Sequence, residues 1–231
     1  MAEIDVTKAR EIIHKSKEDI SFTGWIIKCF ATVMTEKKEF NSLMHRKKKI
    51  IIFQDVDVAI PVEREANGEK RPMAYVIRKA NEKNIMELTK EIRSVQKEDV
   101  DKSTQILGKN LTWMEKFALN SPMFIKKFLM SILKRNAFLK KKYMRTTAVT
   151  SVGMMGKLNG WILIIGGHYT TQMGVGGIIK RLTKNGDKIE FHEYLAITVS
   201  VNHDIIEGAP LARFVSRLSE LMENAYGLQL K

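Results

Sequence analysis

The sequence predicts an α/β fold, a mixed β-sheet flanked by helices, and three observations lead there. Helical and strand periodicities are interleaved along the chain, with no internal repeat and no low-complexity linker. A strong hairpin signal, Asn185-Gly186, stands late in the chain between two long β-rich stretches, because both positions tolerate positive φ. The 231 residues, 44% hydrophobic and 28% charged, suit one sizeable domain, 1–231.

The elements follow in order. Asp5 or Thr7 caps a first helix running to about Lys17, with Ala9, Ile12 and Ile13 on its apolar face. Residues 21–40 open on a second cap, Ser21, and are apolar nearly all round to Met34, which reads as a buried helix with Cys29 in the core. In 49–64, Val56, Val58, Ile60 and Val62 alternate with Asp57, Ala59 and Pro61, the period of a strand with one buried face. Pro61 places part of that strand at an edge or end. A turn at 67–72 leads to a strand at 73–80. Residues 84–97 carry Ile85, Leu88, Ile92 and Val95 at helical spacing. A helical insert spans about 99–143. Strand candidates then follow: "TTAVTSVG", "WILIIGG" and the two arms of the hairpin. The last helix runs from about Ala209 to Ala225, with Pro210 in its first turn and Leu211, Phe214, Val215, Leu218, Leu221 and Met222 as its core stripe.

Composition narrows the function classes. The longest apolar runs, Gly24–Met34 and Gly160–Gly167, fall short of the roughly 18–20 residues a membrane span needs. "MAEIDVTKAR" lacks the basic start and apolar core of a signal peptide, so a cytoplasmic protein is expected. One cysteine excludes an internal disulfide and a Cys-based zinc site. The net charge of +13 gathers in "HRKKK", "FIKKF" and "LKRNAFLKKKY" and speaks for segments more than for the whole fold. In 120–143, Ser121 and Pro122 start a helix with Ile125, Phe128, Leu129, Ile132 and Leu133 on one face and Lys126, Lys127, Lys134 and Arg135 largely off it. That helix packs on its own subunit or a neighbour, or else forms a lid or an amphipathic docking surface for anionic lipid or an acyl chain. Nucleic acid is not expected, because few aromatics are interleaved with the basic residues.

The stretch "SVNHDIIEGAP", Ser200 to Pro210, carries the chemistry. His203 and Glu207, four apart, can bind a metal from one helix face, with Asp204, His192 and His168 as candidates for the third ligand. That reading needs a helix through both residues, whereas Gly208, Ala209 and Pro210 start one just afterwards. His203 can instead be a strand-end residue with a structural hydrogen bond. It can also be a general base, since an unperturbed pKa near 6.5 suits proton removal at neutral pH. Spacing alone leaves the three open. "MGVGGI", 173–178, reads as a strand under close backbone packing rather than a phosphate loop.

The ordered set of segments resembles the catalytic domain of the 2-oxo acid dehydrogenase acyltransferase family, which shares its fold with chloramphenicol acetyltransferase. The segments are 3–34, "EFNSL", "VDVAIPVER", "PMAYVIRKANEKNIMELTKEIR", "TAVTSVGMMG", and "MGVGGI" through "LAITVSVNHDIIEGAPLARFVSRLSELME". The resemblance implies a two-layer sandwich, a trimer or an assembly of trimers, and coenzyme A as a substrate. The family's His-x-x-x-Asp-Gly stands here as His203 to Gly208, which puts His203 on the general base. The residue counted back from the glycine turn is Thr150, at the place of the serine that stabilises the oxyanion, with Ser151 as its neighbour in register. Glu207 replaces the motif's aspartate, whose family role is to tie down the histidine loop through an arginine. Asn202 and Asp204 replace the usual flanking aspartate and arginine. No lipoyl or subunit-binding domain precedes these segments in the sequence, so a stand-alone acyltransferase is expected rather than a lipoamide-linked core component, with a thiol, hydroxyl or amine acceptor open. No metal is expected. A noncatalytic trimeric scaffold that keeps the fold is the alternative.

Overall fold

The computed structural model describes residues 1–46, 48–66, 69–97, 105–106, 109–110, 120–151, 159–164, 169–185 and 188–229. Strand β1 (Ala2–Asp5) leads into α1 (Thr7–Lys15), where the Asp5 carboxylate accepts from the Thr7 N–H at 2.9 Å. Helix α2 (Phe22–Glu36) begins at Ser21, whose hydroxyl accepts from the Gly24 N–H at 3.2 Å. Its apolar circumference is buried all round, Cys29 included, as the pattern predicts. Strands β2 (Ser42–His45) and β3 (Lys49–Ile52) form a separate hairpin.

The main sheet holds β4 (Val58–Ala66), β5 (Glu69–Ile77), β8 (Thr147–Ser151), β9 (Thr171–Asn185) and β10 (Lys188–Val201), with β1 at one edge. Its order is β1-β10-β9-β8-β4-β5. The pairs are antiparallel except β4 with β8 and β8 with β9, so the sheet is mixed, as expected. Pro61 lies beyond the short β4–β8 ladder at Val58 and Ala59, where a missing N–H costs no bond to β8. Lys188 stands opposite Asn185 at the end of the hairpin. Strands β6 (Gln105–Ile106) and β7 (Lys109–Asn110) make a small pair of their own.

Helices α1, α2, α3 (Ile85–Lys97) and α6 (Gly208–Glu223) share one core with one face of the sheet. From the strands come Ile4, Val58, Ile60, Val62, Val149, Met173, Val175, Leu195 and Ile197. Phe214 of α6 meets Phe40 at 4.2 Å and Phe30 at 5.8 Å between ring centroids, contacts worth about 0.5–1.5 kcal/mol each beyond their buried area.

The predicted insert is partly described. Within it lie α4 (Met123–Arg135) and α5 (Ala137–Met144), divided at Asn136, whose side-chain oxygen accepts from the N–H groups of Phe138 and Leu139. Pro122 is the cap of α4 rather than its first helical residue, and Ser121 is buried just before it. Arg145, buried at φ 67°, turns the chain from α5 into β8 and donates to the Lys141 carbonyl at 2.8 Å.

One strand expectation is corrected. Residues 161–164 of "WILIIGG" join no ladder; they cross the face of β9 away from the helices. The physical reason lies in "MGVGGI", which is a strand under close backbone packing, as its glycines imply. A side chain built at Gly176 would meet the Gly160 carbonyl oxygen at 2.1 Å, and one at Gly174 would meet the Ile162 carbonyl at 3.2 Å. The Gly177 N–H donates to Gly160 at 3.0 Å. Without a Cβ at Gly174 and Gly176, the backbone of this segment lies directly on β9 instead of pairing at a sheet edge. The glycine turn at 153–156 lies outside the described residues.

Candidate active site

The site is built at the end of the sheet where β10 finishes and β8 and β9 begin. Val201 stands opposite Thr171, and Thr171 opposite Thr147. Threonines from two doublets tie this end to the segment after α2. The Thr147 hydroxyl donates to the Thr171 carbonyl at 2.7 Å, and the Thr171 hydroxyl donates to the Phe40 carbonyl at 2.8 Å. Thr146 donates to the Asn41 side chain, and Thr170 donates to the Ser42 carbonyl. Asn41, itself buried, donates to the carbonyls of Phe53 at 2.8 Å and Asp55 at 3.0 Å. Buried polar groups that are all paired make a stiff platform.

Asn202 carries the chain off that platform. Its N–H donates to the Thr170 carbonyl at 2.8 Å. Its carbonyl accepts from Ile205 at 3.0 Å and Ile206 at 3.1 Å, and its side-chain oxygen accepts from the Asp204 N–H at 3.1 Å. An asparagine that bonds the backbone two residues on is a built-in turn former. His203 sits inside this turn. It is exposed and has no hydrogen-bond partner among the described residues. Ile206 is buried in the core beside the turn and anchors its far side.

Glu207 follows as the N-cap residue of α6, exposed, with no hydrogen bond from its side chain to the cap and no ion pair among the described residues. The turn around His203 is thus held by Asn202 within this chain, and the Glu207 carboxylate is not brought onto it. In the sequence Asn202 stands out only as a departure from a motif, although an asparagine followed by a helix start is itself a turn signal.

The helix-face metal arrangement does not form, because His203 is in a turn and α6 starts at Gly208. His192 is bonded to the Asp5 carboxylate, nine residues before the end of β10, on the order of 30 Å away along the strand. His168 lies outside the described residues.

Thr150 and Ser151 are separated by strand alternation. Ser151 shares its face with Val149, which is in the core, and its buried hydroxyl has no hydrogen-bond partner among the described residues. Thr150 points to the opposite face, in a row with Gly174 and Thr198. Within one chain Thr150 and His203 are far apart. The register puts them two strands and about five residue steps apart, roughly 15–20 Å.

Residues 1–106 and 134–230 match the family of 2-oxoacid dehydrogenases acyltransferase catalytic domains. The chain belongs to this family. The part of this acyltransferase domain left unmatched, 107–133, falls inside the predicted insert. A curated relative, the dihydrolipoyllysine-residue acetyltransferase component of the pyruvate dehydrogenase complex of Rickettsia prowazekii, is 27% identical over 220 residues, 93% of this chain and 44% of the relative. The acyltransferase domain thus spans less than half of that protein. The fold is that of the cubic core of the pyruvate dehydrogenase multienzyme complex, with TM-score 0.63, 17% identity, and coverage of 96% of this chain and 79% of that one. It is also that of chloramphenicol acetyltransferase, with TM-score 0.57, 13% identity, and coverage of 96% and 86%. The two-layer reading is borne out. Among the described residues, no helix is long and apolar enough to cross a membrane.

Proposed function

We propose that this domain moves an acyl group between a coenzyme A thioester and a thiol acceptor, with His203 as general base and Thr150 as oxyanion donor. The observation that carries the reading is His203 itself, an exposed imidazole on a turn fixed by Asn202 at the end of a polar platform. A base must be rigidly aimed and able to reach its proton. His203 takes the proton from the acceptor thiol as its sulfur attacks the thioester carbonyl. The oxygen of the tetrahedral intermediate accepts from the Thr150 hydroxyl. Collapse breaks the carbon–sulfur bond to coenzyme A, and His203 returns the proton to the departing thiolate.

The name of the Rickettsia relative makes a dihydrolipoyl thiol the first acceptor to test. Thr150 and His203 lie apart in one chain, so the proposed site needs a second copy, and the family resemblance makes the working unit a homotrimer in which Thr150 of one copy faces His203 of the next. A second reading, a noncatalytic assembly protein, is favoured by Glu207, whose carboxylate has no partner among the described residues.

The test supplies acetyl-CoA and dihydrolipoamide and follows S-acetyl-dihydrolipoamide by chromatography. His203→Ala lowers turnover by about 10²–10⁴-fold, and Thr150→Ala by about 10²–10³-fold. Thr150→Ser keeps most of it. Undiminished turnover in His203→Ala overturns the base. Absence of turnover in the intact protein across a panel of acyl-CoAs and acceptors supports the scaffold.

A further inference from the structure

The excess charge of the chain lies in one stretch. From 116 to 186 there are 13 Lys and Arg and no Asp or Glu, which equals the whole net charge of +13. The rest of the chain is balanced, with 26 basic and 26 acidic residues. Helix α4 lies in this stretch, and most of it falls in the part that the family does not share. Phe124, Phe128 and Ile132 are spaced four apart and line one side of it, 71%, 66% and 42% exposed. Lys126 is exposed on the opposite side of the helix, and Lys127 is exposed beside Phe124, three residues on. At its C-terminal end a cavity of about 360 Å³ is lined by Ile132, Asn136 and two arginines, Arg46 and Arg135.

Three features select the occupant. A second copy of the same face would set strong positive charge against positive charge. Nucleic acid would use the cations and can stack bases on phenyl rings, but it gives no cover to the exposed aliphatic side chains of the same helix, Met123, Leu129, Met130 and Ile132. A lipid surface with anionic headgroups uses both, with apolar side chains at the acyl boundary and cations on phosphates. At 13 residues α4 is about 20 Å long, too short to cross a bilayer but suited to lie in its interface. We propose that α4 docks the domain onto an anionic membrane surface, with Phe124, Phe128 and Ile132 buried and Arg46 and Arg135 on headgroup phosphates. This holds whether or not the acyl-transfer reading does.

The full chain is sedimented with vesicles of phosphatidylcholine alone and of equal parts phosphatidylcholine and phosphatidylglycerol. Binding to the anionic vesicles is expected to be roughly tenfold tighter or more, and to weaken as salt rises. Phe124→Ser with Phe128→Ser leaves the charge unchanged and lowers that binding by roughly tenfold. Lys126→Glu with Lys127→Glu lowers it while keeping the apolar row. Light scattering checks that each variant keeps the parent's oligomer mass. No binding to anionic vesicles, equal binding to both, or undiminished binding of the Phe pair overturns the proposal. So does a Phe pair that changes the oligomer mass, since the row would then be a contact between copies.

Discussion

His203 shows how little a side chain's identity says without its neighbours. A histidine between an amide and an acid fits a metal site, a structural bond or a base equally well. Asn202 decides its surroundings by closing a turn with two bonds to its carbonyl and one to its side-chain oxygen, and α6 starts too late to bring Glu207 alongside. Cys29 behaves in the opposite way: an apolar helix sequence already implies a buried thiol, and burial pushes its pKa up to about 12. Two outcomes follow. In the native protein at pH 8, iodoacetamide leaves Cys29 unmodified, whereas in denaturant it reacts as a free thiol. Because the raised pKa belongs to the folded state, stability is full below about 8.5 and falls as pH rises through the interval up to the folded value. Denaturant titrations of the parent and Cys29→Ala between neutral and alkaline pH read this directly. A parent midpoint that loses no more with pH than that of Cys29→Ala defeats it.

Among the elements, β9 was the most legible and its neighbour the least. Three glycines in six residues imply a backbone approached closely, and Gly160–Ile164 is what approaches it. The same apolar run reads as a strand because a short run of hydrophobic residues suits a strand and a segment lying across one alike. Gly176→Ala should cost about 1–3 kcal/mol or more, because its Cβ would sit 2.1 Å from the Gly160 carbonyl. Gly208→Ala meets nothing within 4 Å and serves as the control. Urea unfolding of both variants checks this, and equal midpoints would defeat it. Helix α4 was legible as an amphipathic helix. That its apolar row faces outward was not, since a periodic pattern states that a face exists and not what covers it.

For the whole molecule, the separation of Thr150 and His203 within one chain bears on assembly. If catalytic sites form between copies, His203→Ala and Thr150→Ala proteins, each inactive alone, should regain activity when refolded together. In a randomly mixed trimer about one site in four then joins an intact His203 to an intact Thr150. Turnover near that fraction of the parent's is expected, measured by the same S-acetyl product. A mixture as inactive as its parts would place the chemistry within one chain and defeat the shared site.

The sequence by itself determined the helices and strands of the core, the late hairpin, the buried second helix and the ordered segments by which the chain joins its family. These are local patterns, or sums of them, and they survive without knowledge of distant contacts. Only the tertiary structure decided the strand order, the role of the threonine doublets, the assignment of Thr150 and Ser151 to opposite faces, and the exposure of α4. The physical reason is range. Periodicity is set by bonds between near neighbours, whereas register and burial are set by which distant segments meet, as Thr170 meets Ser42 and Gly176 meets Gly160.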